Sequence, residues 1–272
     1  MLVLLHPTIL NLLVVHAQKN CDFPAIINLG DSNSDTGGYA ACFTPPTSPY
    51  GDTYFHRPAR RFSDGRLVID FIGFFANLTI QQVNASVPDI VNNFSANVKN
   101  LYSSGGRSFW IHNTGPIGCL PYVLTAFSSA ERDSAGCLKP HNEVAQYFNL
   151  KLKEAVAQLR NEFPSAAFTY VDIYSVKYSL FAEPQKHGFE LPLVTCCGYG
   201  GQYNYSAEVL CGGTIRVNGT EIFVGSCERP SVRVVWDGIH YTEAANKFVY
   251  DQISTGSFSD PPIPLKQACQ RT

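Results

Sequence analysis

Apolar residues along this chain recur at two different spacings, and the spacing separates strands from helices. Ala25-Ile26-Ile27-Asn28-Leu29, between Pro24 and Gly30, is a short apolar run, as are residues 107–113 (RSFWIHN) and 166–172 (AAFTYVD). Bounded by turn formers, such runs predict buried strands. Residues 65–76, 87–102, 140–163 and 242–253 instead repeat apolar positions at three and four, the period of a helix with one buried face. In 87–102 the stripe is Ile90, Val91, Phe94, Val98 and Leu101, with Pro88 placed in the first turn, where a missing N–H costs nothing. In 140–163 it is Val144, Tyr147, Phe148, Leu152, Ala155, Val156 and Leu159, and Pro164 ends it. Val171-Asp172 leads into a further helical stretch, IYSVKYSLF, and 183–230 reads as loop, rich in Gly, Tyr and Cys. Strands alternating with helices predict a single α/β domain whose parallel sheet is covered on both faces.

Composition narrows the class of molecule. Apolar residues make up 45% of the 272 and charged residues 15%, which suits a folded core and excludes a disordered chain. A net charge of −2 without basic runs excludes a nucleic-acid partner. Leu2 to Ala17 is apolar but interrupted by His6, Pro7 and Asn11, and Val15-His16-Ala17 fits a signal cleavage site, although no Lys or Arg opens it. The expected organisation is a signal peptide over 1–17 and one domain over 18–272, with no membrane span in the mature chain. Sequons at Asn77, Asn84, Asn93, Asn204 and Asn218, together with nine cysteines, point to the secretory pathway and an extracellular destination. The cysteines lack the paired CxxC spacing of a zinc site, and no metal or other cofactor is expected. Cys119 and Cys137 flank a loop of small and polar residues and are expected to pair with each other. Adjacent Cys196 and Cys197 suit two separate disulfides.

Two stretches carry candidate chemistry. The first strand ends in Gly-Asp-Ser, and Ser32 on a strand-to-helix turn is either a helix cap or a nucleophile. A serine needs a base, and the base an orienting acceptor. Asp237 and His240, three residues apart in WDGIH, supply both. Asp35 reads as a cap and His56 as a loop residue. His112 reads as a hydrogen-bonded core residue, and His141 and His187 lack partners at metal spacing.

Taken together, these blocks resemble the plant GDSL esterase/lipase family, a branch of the SGNH hydrolases. FPAIINLGDSNSDTGG (23–38), RRFSDGRLVIDFI (60–72), SFWIHNTGPIGCLPY (108–122), TCCGYGGQYNY (195–205) and VVWDGIHYTEAANK (234–247) fall in the family's order. The resemblance implies a three-layer α/β/α fold of flavodoxin-like strand order. It implies hydrolysis of small-molecule, lipid or glycan esters, with Ser32 as nucleophile, His240 as base and acid, and Asp237 as orienter. It also implies that the backbone N–H of Ser32 enters the oxyanion hole. Two family blocks do not occur here: one with an oxyanion-hole glycine and a Gly-x-Asn-Asp whose asparagine is a further donor. Residues 71–87 (FIGFFANLTIQQVNASV) run straight across that place, so the domain is expected to lack two strands. Gly73 and Asn113 are the nearest substitutes by residue type. The competing expectations are a catalytically impaired or non-catalytic shortened variant, such as a splice form or an incomplete gene model, and an acyltransferase using the same triad.

Overall fold

The computed structural model describes Ser48 and residues 79–269. The expected signal peptide, strand 25–29 and helix 65–76 lie outside the described residues. Helix α1 (Ile80–Ser103) begins at Ile80 rather than Val87. Thr79 sets the start: its hydroxyl accepts from Gln82 N at 3.3 Å while Gln82 Oε1 accepts from Thr79 N at 2.8 Å. That reciprocal pair satisfies two orphan donors of the first turn. Pro88 therefore sits inside the helix, not in its first turn, where an unmade hydrogen bond and ring crowding cost about 3 kcal/mol. Burial of Val87, Val91 and Val98 on the face predicted to be apolar offsets that cost.

Strand β1 (Ser108–His112) and β2 (Ala167–Val171) pair in parallel, Ser108 opposite Ala167 through His112 opposite Val171. A parallel pair needs a crossover, supplied by the short α2 (Pro121–Ala126) and the long α3 (Lys139–Glu162). All five residues of β2 are buried, as its unbroken apolar run requires. The α/β class stands, but the sheet is mixed: β5 (Ser259–Asp260) adds to β2 antiparallel, Tyr170 opposite Asp260. Its two residues carry no periodicity. Arg160 of α3 holds it there, with Nε donating to Phe168 O at 3.0 Å and Nη2 donating to Asp260 O.

Helices cover the two faces of this sheet. Ile111, Phe168 and Tyr170 pack with Val98 of α1 and Leu152, Val156 and Leu159 of α3. Phe109 stacks on Phe168 at 4.8 Å between ring centroids. On the other side Val171 packs with Leu180 of α4 (Ile173–Ala182) and Val249 and Ile253 of α5 (Glu243–Ile253). Asp172 caps α4, accepting from Ser175 N at 3.1 Å.

The segment read as loop contains a β-hairpin, β3 (Thr214–Val217) and β4 (Thr220–Phe223). Its turn is Asn218-Gly219, at φ +50° and +81°, the left-handed pair that a tight two-residue hairpin turn demands. The Asn-Gly signal is present in TIRVNGTEIF. Cys119–Cys137, Cys196–Cys227 and Cys197–Cys211 are disulfides, and Cys269 is disulfide-bonded as well. Closing the loop between Cys119 and Cys137, at a sequence separation of 18, stabilises by about 3 kcal/mol in the chain-entropy picture.

His112 corrects an expectation. Neither ring nitrogen has a hydrogen-bond partner among the described residues, although both are shielded from solvent, and the ring stands edge-on to Trp110 at 4.4 Å. Burial lowers its pKa from 6.5 to about 4. The folded state thus binds fewer protons than the unfolded one below the unfolded value. The neutral imidazole costs nothing above pH 6.5, and stability is lost as pH falls from there towards 4. Between about pH 7.5 and 5, urea unfolding of the parent should lose about 2 kcal/mol more than that of His112→Leu. Equal losses in the two proteins would remove His112 as the cause.

Candidate active site

The segment carrying Asp237 and His240 is anchored by its flanks. Val234, Val235 and Trp236 are all fully buried, and Val235 pairs antiparallel with Tyr241. Trp236 N donates to His240 O at 2.7 Å, which closes 236–240 into a tight loop. Beyond it Thr242 donates its hydroxyl to Arg233 O at 2.6 Å and accepts from Ala245 N at 3.1 Å, capping α5. On the other side the disulfide-bonded segment lies against the same backbone: Cys196 N donates to Val235 O at 2.9 Å and Cys197 N to Trp236 O at 2.6 Å.

Within the loop Asp237 does three things at once. Its Oδ1 accepts the backbone N–H of Ile239 at 2.8 Å and of His240 at 2.9 Å. These two bonds turn the chain so that the imidazole comes back onto the carboxylate, with Nδ1 2.9 Å from Oδ1 and 2.8 Å from Oδ2. This is why a spacing of three suits the pair. Burial alone would raise the Asp237 pKa, but the His240 imidazole and the two backbone N–H donors outweigh it, and the carboxyl is held below its ordinary range. An ionised carboxylate only accepts, so the Nδ1 facing it carries the proton, and the neutral ring then has its lone pair on Nε2. The arrangement can take a proton from a hydroxyl and stabilise the imidazolium that results.

The other candidate residues are placed differently. Ser32, Asp35, His56, Gly73 and Asn77 lie outside the described residues. Asn113 is no substitute oxyanion donor: its Nδ2 donates to the Tyr170 hydroxyl at 3.0 Å and to Asp172 Oδ1 at 2.9 Å, and its Oδ1 accepts from Tyr174 N at 2.9 Å. Both amide hydrogens are spent on bracing the end of β2. His141 is buried at the start of α3, its pKa lowered by burial and its ring 4.7 Å from Phe127. His187 lies against Phe248 at 4.7 Å. Among the sequons, Asn93 and Asn218 are exposed, while Asn84 and Asn204 are partly buried.

Sequence reasoning missed two neighbours of the dyad. Tyr122 N donates to Gly238 O at 2.9 Å, and the ring of Tyr205 lies directly over Gly238. Both tyrosines fall within the family blocks, yet nothing in their spacing singles them out.

Comparison with known proteins gives this geometry its context. The model of the GDSL-like lipase/acylhydrolase family matches residues 70–253. A protein named esterase from Hevea brasiliensis is 48% identical over 360 positions, covering 95% of this chain and 92% of its own length. GDSL esterase/lipase ENOD8 of Medicago truncatula is 46% identical, covering 94% of this chain and 92% of its own. GDSL esterase/lipase ACHE of Zea mays is 40% identical, at 93% and 90%. The Hevea match leaves about 14 residues of this chain uncovered, so its span includes Ser32. It also runs over 360 positions against a chain of 272 residues, so at least 88 of the relative's positions have no counterpart here. With the family model over most of its length and close relatives over nearly all of it, the chain belongs to the GDSL-like lipase/acylhydrolase family, a family of carboxylic ester hydrolases.

Proposed function

We propose that this chain is a secreted esterase that works through an acyl-enzyme on Ser32. The hydroxyl oxygen attacks the ester carbonyl as its proton passes to Nε2 of His240, and Asp237 stabilises the imidazolium. The tetrahedral oxyanion collapses, and the leaving alkoxide takes the proton back from Nε2. Water then attacks the acyl-enzyme by the same route, releasing the acid and restoring the serine. The observation that carries this reading is the Asp237–His240 contact through Nδ1, which leaves Nε2 as the base.

A fluorophosphonate ester labels a serine only when a base activates it. Incubated with the pure protein, it should lose fluoride and leave its phosphonyl group on the peptide containing Ser32, and the label should vanish in His240→Ala. Labelling of another hydroxyl, or label that persists without His240, would overturn the assignment.

The start of the chain, the sequons and the disulfide-bonded cysteines support passage through the secretory pathway. Expressed in plant or insect cells, the protein should reach the medium without about its first 17 residues. Its apparent mass should fall on glycosidase treatment, with glycan on the exposed Asn93 and Asn218. Recovery in the cytosol with an intact N-terminus would contradict this.

A second reading rests on the length of the relatives. Positions they carry and this chain lacks are numerous enough to hold both missing family blocks, which supports a catalytically weakened form with the attacking groups but few oxyanion donors.

A further inference from the structure

We propose that Tyr205 is a positioning residue for ester hydrolysis: its ring, laid over Gly238, keeps the 236–240 loop in the form that holds Asp237 on His240 Nδ1. The inference rests on the reading of Asp237 and His240 as the catalytic pair.

The flanks of this loop are pinned by paired backbone hydrogen bonds, whereas its tip has one backbone hydrogen bond and an aromatic ring. Gly238 is the tip. Its carbonyl is held by Tyr122 N at 2.9 Å, and its α-carbon is held by Tyr205. A Cβ at position 238 would stand 2.2 Å from Tyr205 Cε2, 2.7 Å from Cδ2 and 2.8 Å from Cζ, so only glycine admits the ring this closely.

The ring is backed on one side. Tyr122 meets it edge-on, with 6.2 Å between centroids and 83° between planes. Its own backbone is tied down one residue earlier. Thr195 Oγ1 donates to Asn204 O at 2.6 Å, and Asn204 Nδ2 donates back to Thr195 O at 3.2 Å. Gly198 fits beneath that carbonyl, where a Cβ would come within 2.0 Å. Thr195 in turn leads into Cys196 and Cys197, whose N–H groups hold Val235 and Trp236. The constraint is therefore closed on itself: the segment beside Trp236 positions Tyr205, and Tyr205 positions the tip of the loop that Trp236 begins. Burial, then the Asp237 charge, then Tyr122 raise the pKa of the Tyr205 phenol, so beside the carboxylate the side chain stays neutral. It acts through shape, not charge.

The test combines the low-field proton resonance of His240 Nδ1–H with steady-state kinetics on 4-nitrophenyl acetate, each variant checked for folding by its thermal melt. Tyr205→Ala should weaken or abolish the resonance and lower kcat by about 10²-fold, the scale of a misplaced catalytic group, with KM little changed. Tyr205→Phe should restore both readouts. Gly238→Ala should reproduce the loss by pushing against the ring, and Gly238→Ala with Tyr205→Ala should be no worse than either alone. Should Tyr205→Ala not fold, Tyr205→Leu carries the same comparison. A parental resonance and kcat in Tyr205→Ala would overturn the proposal. So would a lost kcat with the resonance intact, which would put Tyr205 on the substrate instead. Turnover that survives His240→Ala would bring down the catalytic reading itself, and the resonance would still report whether the ring holds the loop.

Discussion

Asp237→Asn should lower ester turnover about 10⁴-fold while leaving the fold in place. The asparagine Oδ1 can still accept the N–H groups of Ile239 and His240, so the loop keeps its shape. What changes is the group facing Nδ1. A carboxylate oxygen is replaced by an amide that donates, and the imidazole answers by presenting its lone pair at Nδ1 and its proton at Nε2. The base is then turned the wrong way round. Ser32→Ala should abolish turnover outright, and combining it with Asp237→Asn should cost nothing further, because the residues of a triad act as one unit. Initial rates on an activated ester, beside the thermal melt of each variant, make the measurement. A loss under tenfold for Asp237→Asn would show that the pair observed here does not carry the reaction.

Restoring the two missing family blocks between about residues 71 and 87 should raise turnover by about 10³ or more. Each oxyanion donor is worth ~10²–10³ in rate, and the blocks bring two. Asn113 cannot replace them, since both of its amide hydrogens are already donated, to Tyr170 and Asp172. On the proposed mechanism, Ser32 attack is assisted by His240 but the oxyanion is left with little beyond one backbone N–H. Activated esters should then be its best substrates, because their leaving groups need least help. Restoration should also sharpen thermal unfolding: among the described residues β1 pairs with β2 alone, and the blocks would supply further strands. The comparison is of kcat and calorimetric cooperativity between this chain and the restored one. Equal rates would mean that another group of this chain holds the oxyanion.

Elements whose signals are local are legible in the amino-acid sequence alone. The stripe of 140–163 is α3 and the apolar runs 107–113 and 166–172 hold β1 and β2, because periodicity and apolar burial report the surroundings of each segment directly. The three-residue step from Asp237 to His240 is equally legible, since a carboxylate reaching the N–H groups two and three residues on is local geometry. Two further local signals go unread in the apolar pattern: Thr79 with Gln82 and Asn218 with Gly219 state a helix start and a hairpin turn as plainly as any in the chain.

Other outcomes depend on which segments meet. Nothing in Ser259-Asp260 alone makes a strand; Arg160, a hundred residues earlier, holds it against β2. His112 follows a strand pattern faithfully, yet whether its nitrogens find partners is settled by the neighbours packed around it. Asn113 has the right chemistry for an oxyanion donor until Tyr170 and Asp172 take both of its hydrogens. The same holds for Tyr205, one aromatic among many until the disulfide-bonded segment lays it over Gly238. Sequence by itself determined the repeating elements, the family blocks and the pairing of Asp237 with His240, because each depends on residues near one another along the chain. Tertiary structure decided which polar atoms are spent and which remain available for chemistry, because hydrogen bonds are saturable and their partners come from segments that only folding brings together.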